Sequence, residues 1–171
     1  MKNGFSLIEI LVVLAIIMLM AGIVTFNISS QRQNSALFRS AQKLSLDLRR
    51  VQNYALSSKN FRISGVPCGW GIHFYSPNSS SYTIFADTAA SLNCSDRDFI
   101  RSIDGSEDFE TINLDAGIII SSLSNGLSDI VYTPPQPSVV FIPDQTTASI
   151  VLSNRFSTKT ININKSGLIS L

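Results

Sequence analysis

A handful of side chains in this sequence are of the types that do chemistry. Glu9 is a single carboxylate inside an apolar run, "NGFSLIEILVVLAIIMLMAGIV", Asn3 to Val24. An acid at the centre of a membrane span costs roughly 2.5 to 3.5 kcal/mol on insertion scales, and less near an end, so this one needs a reason. Cys68 and Cys94 are the two cysteines. Outside a reducing compartment they can form a disulfide, closing a loop of about 27 residues and contributing about 3 kcal/mol in the chain-entropy account. Both lie in Ser/Gly/Asn-rich sequence, which favours the bridge; the alternative is two reduced thiols too far apart to pair. Arg155, Lys159 and Lys165 sit in a tail that has no acid from Gln145 onward, so an anion such as DNA phosphate is a candidate partner there.

Other candidates have plainer readings. His73, the sole histidine, stands between Ile72 and Phe74 with no acid or cysteine at ligand spacing, and is expected to be a surface strand residue. "DGSEDFE" alternates Asp104, Ser106, Asp108 and Glu110 in the manner of calcium-binding oxygens, but lacks the glycine and terminal-acid spacing of an EF-hand; a solvated acidic loop is expected. "TPPQP", Thr133 to Pro137, reads as a stiff connection, with polyproline recognition as the alternative. There is no Ser/His/Asp set, no glycine-rich phosphate loop after a strand and no metal constellation. An enzyme is not expected, nor a metal or cofactor.

The elements that would position these groups follow from pattern. The chain has 171 residues, 44% hydrophobic and 15% charged, enough for one domain plus an accessory segment. Phe5 to Phe26 carries one charge and is long enough for a membrane span of roughly 20 residues. A cleaved secretory signal is the rival, but it lacks the small-x-small site near Met20 and Ala21 and would not contain Glu9. Leu37, Ala41, Leu44, Leu48, Val51 and Ala55 then recur at spacings of four and three, one stripe of an α-helix. No proline precedes Pro67, so one helix can run from Phe5 to about Ser57, roughly 80 Å.

Beyond Lys59, β-type runs recur: "GWGIHFY", "SYTIFA", "FIRSI", "ETINL", "GIIIS", "DIVY", "SVVFI", "ASIVLS", "KTINI" and "GLISL". The last five read as a meander, with "NKSG" a tight turn. The predicted architecture is α+β: a long N-terminal helix, membrane half plus amphipathic half, packed on a small antiparallel β-sheet head. Charge divides the same way. Residues 31–59 hold six bases and one acid, a balance of +5, whereas 60–171 hold six bases and ten acids, a balance of −4. An acidic head is a poor surface for nucleic acid.

"GFSLIE", Gly4 to Glu9, with the apolar run behind it, resembles the signal of type IV pilins and type II secretion pseudopilins. The resemblance implies a pilin-like fold and four segments: a leader, 1–4, removed by a prepilin peptidase/N-methyltransferase; a transmembrane and filament-core helix, 5–26; an amphipathic helix, 27–58; and a β-rich head, 59–171. It implies a cut between Gly4 and Phe5, methylation of the new Phe5 amine, and an assembly role for Glu9. The implied partners are other major and minor pilins or pseudopilins, an inner-membrane assembly platform and the bacterial inner membrane, with the head outside the cytoplasm before transfer to a pilus or pseudopilus.

"SAQKLSLDLRRVQNYALSSKN", "GWGIHF" and "ININKSGLISL" are similar to the GspH/FimT group of minor pilins and pseudopilins. Many relatives carry proline at the twenty-second residue after the cut, where this chain has Phe26, so a helix break there is not assured. Some FimT-like pilins bind DNA through an Arg-rich C-terminal segment; here "NKSGLIS" has one lysine and no arginine pair. A DNA receptor for natural transformation or a pilus-tip adhesin is the alternative to a structural subunit.

Four residues separate Phe5 from Glu9, one helical turn, on one face. The resemblance suggests, and this geometry permits, that after cleavage the Phe5 amine of a neighbouring subunit neutralises the acid and sets axial register in a bundle of such helices.

Overall fold

In the computed structural model the described residues are 6–62, 65–88, 94–95, 97–134 and 138–171, with the side chains of 23–30 left out of the description. One helix, α1, runs unbroken over Leu7–Leu56, 50 residues or about 75 Å. The backbone therefore continues as α-helix through Phe26, the position where the sequence does not assure a break. Its second half buries Leu37, Ala41, Leu44, Leu48, Val51 and Ala55, each 1% exposed or less, which is the stripe expected from the spacing. The helix ends at Ser57, whose amide donates to the Asn53 carbonyl, while Ser58 turns into the left-handed region (φ 47°).

Among the described residues nine strands follow in two antiparallel sheets. The first contains β1 (Gly69–Phe74), β2 (Ser81–Asp87), β3 (Asp108–Asn113), β5 (Asp129–Thr133) and β6 (Ser138–Ile142), in the order β3-β2-β1-β5-β6. The second contains β4 (Ile119–Leu123), β7 (Thr147–Ser153), β8 (Thr158–Asn164) and β9 (Ile169–Ser170), in the order β4-β7-β8-β9. In the first sheet Trp70, Ile72 and Phe74 alternate toward one face, and register sets Ile84 and Ile130 beside Ile72 and Tyr132 beside Trp70. In the second, Ile150 pairs with Ile161 and Ala148 with Ile163. The apolar faces of both sheets join the helix stripe in one core, with α1 touching β1 and β5 of one sheet and β7, β8 and β9 of the other.

Two sequence expectations are corrected. The last five strands do not form a single meander: β5 and β6 close the first sheet, and the chain then enters the second, where β7 pairs with β4. Pro143, directly after β6, has no amide to extend the ladder, and the strand stops there. "FIRSI", residues 99–103, is not a strand. Turn chemistry prevails, because Asp98 and Asp104 accept hydrogen bonds from the amides of Ile100 and Ser106, and Gly105 has φ 72°. Ile103, read as a strand residue, stands 99% exposed. The "NKSG" turn does join β8 to β9, with the Gly167 amide donating to the Asn164 carbonyl at 2.9 Å.

Candidate functional site

The N-terminal end of α1 leaves its apolar side chains and one carboxylate exposed. Ser6 is extended (φ −72°, ψ 143°) and its carbonyl accepts from the amides of Glu9 and Ile10, which starts the helix. Glu9 lies in the first turn, where the helix's partial positive charge favours a carboxylate. Its side chain is exposed and lines a shallow groove with Ile10, Val13 and Leu14. Every large apolar side chain from Leu7 to Met20 is 49% to 81% exposed. A helix that is apolar on all faces is stable only when other apolar matter surrounds it, lipid or other helices.

Among the described residues no helix is long and apolar enough to cross a membrane. Side chains are described up to Gly22 and again from Gln31, so the expected span over 5–26 lies only partly within them. Gly4 and Phe5, the expected cleavage pair, lie outside the described residues.

In the head, Cys68 and Cys94 are joined by a disulfide, with Cα atoms 5.4 Å apart. The bond ties the segment after β2 to the entry of β1. That segment returns through Glu107, whose buried carboxylate accepts from the amides of Thr88 (2.7 Å) and Ser102 (2.9 Å). Beside it Asp87 is 2% exposed, and one of its oxygens has no hydrogen-bond partner. Burial first, then the charges of Glu107 and Asp98, push the Asp87 carboxyl up to about 6.

The reading of His73 as a bare surface residue is corrected. Register places it opposite Asp129 on β5, and Nδ1 lies 2.8 Å from the fully buried Asp129 carboxylate. The two are 56 residues apart, and only the β1–β5 pairing brings them together. Tyr75 packs edge-on against the imidazole, and its hydroxyl continues to Thr83 and Thr111 across β2 and β3. This is a polar ladder across four strands.

The acidic run does not converge. Arg101 grips both oxygens of Asp108, Glu110 faces Arg50 at 2.8 Å, and Asp104 accepts from the Ser106 amide. Among the described residues no group of three His, Cys, Asp or Glu is placed to hold a metal. The basic tail is dispersed as well. Arg155 is exposed in the β7–β8 turn and Lys159 lies over the Phe38 ring, while Lys165 pairs with Asp144 at 2.7 Å beyond the far end of β8. Seven strand residues, about 23 Å, lie between Arg155 and Lys165. The "TPPQP" segment connects β5 to β6, whose ends pair Thr133 with Ser138; residues 135–137 are outside the described residues.

One cluster gives no sequence signal. Tyr54 at the end of α1, Trp70 on β1 and Phe109 on β3 meet edge to face, and the Lys59 ammonium sits among them. The four residues come from three elements and a loop, so only the tertiary fold assembles them.

Residues 1–25 match the family model of the prokaryotic N-terminal methylation motif, a prepilin-type signal. No curated protein and no solved structure matches the chain.

Proposed function

We propose that this chain is the precursor of a minor pilin or pseudopilin, most similar to the GspH/FimT group, that is cut between Gly4 and Phe5 and assembles through its N-terminal helix. The observation that carries the reading is the methylation motif over residues 1–25 on a helix whose large apolar side chains from Leu7 to Met20 all face outward. Such a surface needs lipid before assembly and neighbouring helices afterwards. Phe5 to Phe26 would span the bacterial inner membrane with the head outside the cytoplasm, where the Cys68–Cys94 disulfide persists.

In the assembled state the methylated Phe5 amine of one subunit neutralises the Glu9 carboxylate of another. An ion pair held between apolar helices is poor at adding stability but good at fixing register, because every misaligned arrangement leaves a charge unpaired. The function is structural, and its partners are the processing peptidase, other pilins or pseudopilins and the assembly platform. The DNA-receptor alternative draws little from the head, where Lys165 pairs with Asp144 and lies at the far end of β8 from Arg155 in the β7–β8 turn.

The test is the mass of the purified chain made with and without a prepilin peptidase. The expected product begins at Phe5 with one added methyl group. An unchanged mass, or a cut near Ala21 as in a secretory signal, would overturn the reading.

A further inference from the structure

We propose that Tyr54, Trp70 and Phe109 form a binding site for a methylated ammonium group, and that Lys59 occupies it as a displaceable internal plug. The proposal does not rest on the assembly reading, since the site lies at the opposite end of α1 from Glu9. Ring centroids are 5.1 Å apart for Tyr54 and Trp70, 5.4 Å for Trp70 and Phe109 and 5.9 Å for Tyr54 and Phe109, all three edge to face. The Lys59 Nζ lies 3.5 Å, 4.5 Å and 5.6 Å from the Tyr54, Phe109 and Trp70 centroids. Three aromatic rings around one cationic nitrogen is the arrangement by which proteins recognise quaternary ammonium groups.

The walls are built and the plug is not. Trp70 is fully buried as the floor, held by its Nε1 donating to the Lys59 carbonyl at 3.2 Å and by Phe61 packed edge-on behind it. Phe109 is 39% exposed, and Tyr54 and Lys59 are half-buried, so the cage opens to solvent. Lys59 belongs to the turn after α1, where Ser58 and Arg62 have φ of 47° and 50°; its side chain reaches the rings on a four-carbon stem.

The chemistry of the occupant favours exchange. A primary ammonium has three N–H donors that seek oxygen, yet among the described residues Lys59 has no carboxylate within ion-pair distance. The Tyr54 hydroxyl, which already accepts from Arg50 Nε at 2.6 Å, also interacts with the Lys59 ammonium, and the ring faces add charge attraction but no strong acceptor. A methylated ammonium gives up fewer hydrogen bonds to water on entering the same cage. Arg50 lies 5.3 Å and 5.9 Å from the Tyr54 and Phe109 centroids, donates to the Tyr54 hydroxyl at 2.6 Å and is matched by Glu110 at 2.8 Å, so the charge removed when the plug leaves is the one the ligand restores.

Trp70 is the only tryptophan in the sequence, so its emission reports this site alone. The full chain in a maltoside micelle is titrated with tetramethylammonium chloride against sodium chloride at equal ionic strength. The expected result is a saturable change with tetramethylammonium only, a midpoint lowered about tenfold by Lys59→Ala, and loss of saturation in Phe109→Leu. Circular dichroism checks that each variant is folded, and Lys59→Gln carries the same expectation should Lys59→Ala fail to fold. Phosphocholine and Nε-trimethyllysine are then compared as competitors, to separate a lipid headgroup from a modified protein side chain. Competition by either supports the site. Equal responses to sodium and tetramethylammonium, or a midpoint that ignores both Lys59 and Phe109, would overturn it.

Discussion

The Tyr82 hydroxyl donates a 2.6 Å hydrogen bond to Oδ2 of Asp47, joining the second strand of the head to the buried side of the long helix. Both residues are at least nine-tenths buried, and Arg50 stands 3.8 Å from the other Asp47 oxygen. Burial and the Asp47 carboxylate together push the Tyr82 phenol far above its ordinary value, so it stays a donor at any working pH.

Tyr82→Phe therefore leaves a buried carboxylate short of one partner. The expected cost is about 1 to 3 kcal/mol, since the desolvation of the unsatisfied acid is not recovered. Asp47→Asn with Tyr82 intact should cost less, because the neutral amide can still accept. Urea unfolding of the three proteins checks the order, and equal midpoints would count against the bond as a tie between helix and sheet.

Much of this fold was legible because it is periodic. The stripe from Leu37 to Ala55 needed only the 3.6-residue repeat, and most of the strands needed only β-branched runs between turns. Pairing was not legible. Nothing local distinguishes strands that stay in one sheet from strands that change sheet at Pro143, and nothing local joins His73 to Asp129 or Tyr54 to Phe109. "FIRSI" misled because its apolar residues suit a strand, while the flanking Asp98, Asp104 and Gly105 fold their own backbone into turns. The Glu9 surface was legible because it is a feature of a single helix and needs no tertiary partner within the chain.

Leu48 and Leu46 test the stripe. Leu48 is fully buried and Leu46 is 64% exposed on the same helix. Leu48→Ala should cost about 2 to 5 kcal/mol through lost burial and the cavity left behind, whereas Leu46→Ala should fall within about 0.5 kcal/mol of the parent. Thermal unfolding in one buffer separates the two. Similar losses would mean that the helix packs through a different face.

The Cys68–Cys94 bond, with a sequence separation of 26, should contribute about 3 kcal/mol by restricting the unfolded chain. Cys68→Ser/Cys94→Ser is expected to lower the unfolding midpoint without changing the secondary structure seen by circular dichroism. Adding reductant should lower the parent toward the variant and leave the variant unmoved. A variant as stable as the parent would show that strand pairing already holds the segment.

Asp87 predicts a pH dependence with a defined sign. Its carboxyl is raised from 3.8 to about 6 in the fold, so the folded chain holds that proton more tightly than the unfolded chain does. The resulting stabilisation is complete below about pH 3.8 and is lost as pH rises through about 6. Asp87→Asn fixes the neutral form, and its stability relative to the parent should rise by on the order of 2 kcal/mol between pH 4 and pH 7. Unfolding free energies measured for both proteins across that range give the difference directly, and a flat difference would place the titration elsewhere.

Variants at Glu9 would distinguish an assembly subunit from an anchored one. The helix around it is apolar and exposed, and the described contacts of α1 with the head lie at Gln33 and beyond, so Glu9→Leu improves membrane partition and leaves the head untouched. If the carboxylate served the fold of the single chain, the variant would lose stability; if it served only insertion, the variant would accumulate in the membrane and assemble at least as well. The assembly reading expects a third outcome. Glu9→Leu and Glu9→Gln should be processed, methylated and retained in the membrane at parental levels, yet fall at least tenfold in the sheared filament fraction, because each incoming subunit presents an amine that finds no partner. Glu9→Asp, which keeps the charge one methylene short, should recover part of that loss. Filament yield read by immunoblot against membrane-retained protein checks all three variants, and parental yield from Glu9→Gln would remove the ion pair from the mechanism.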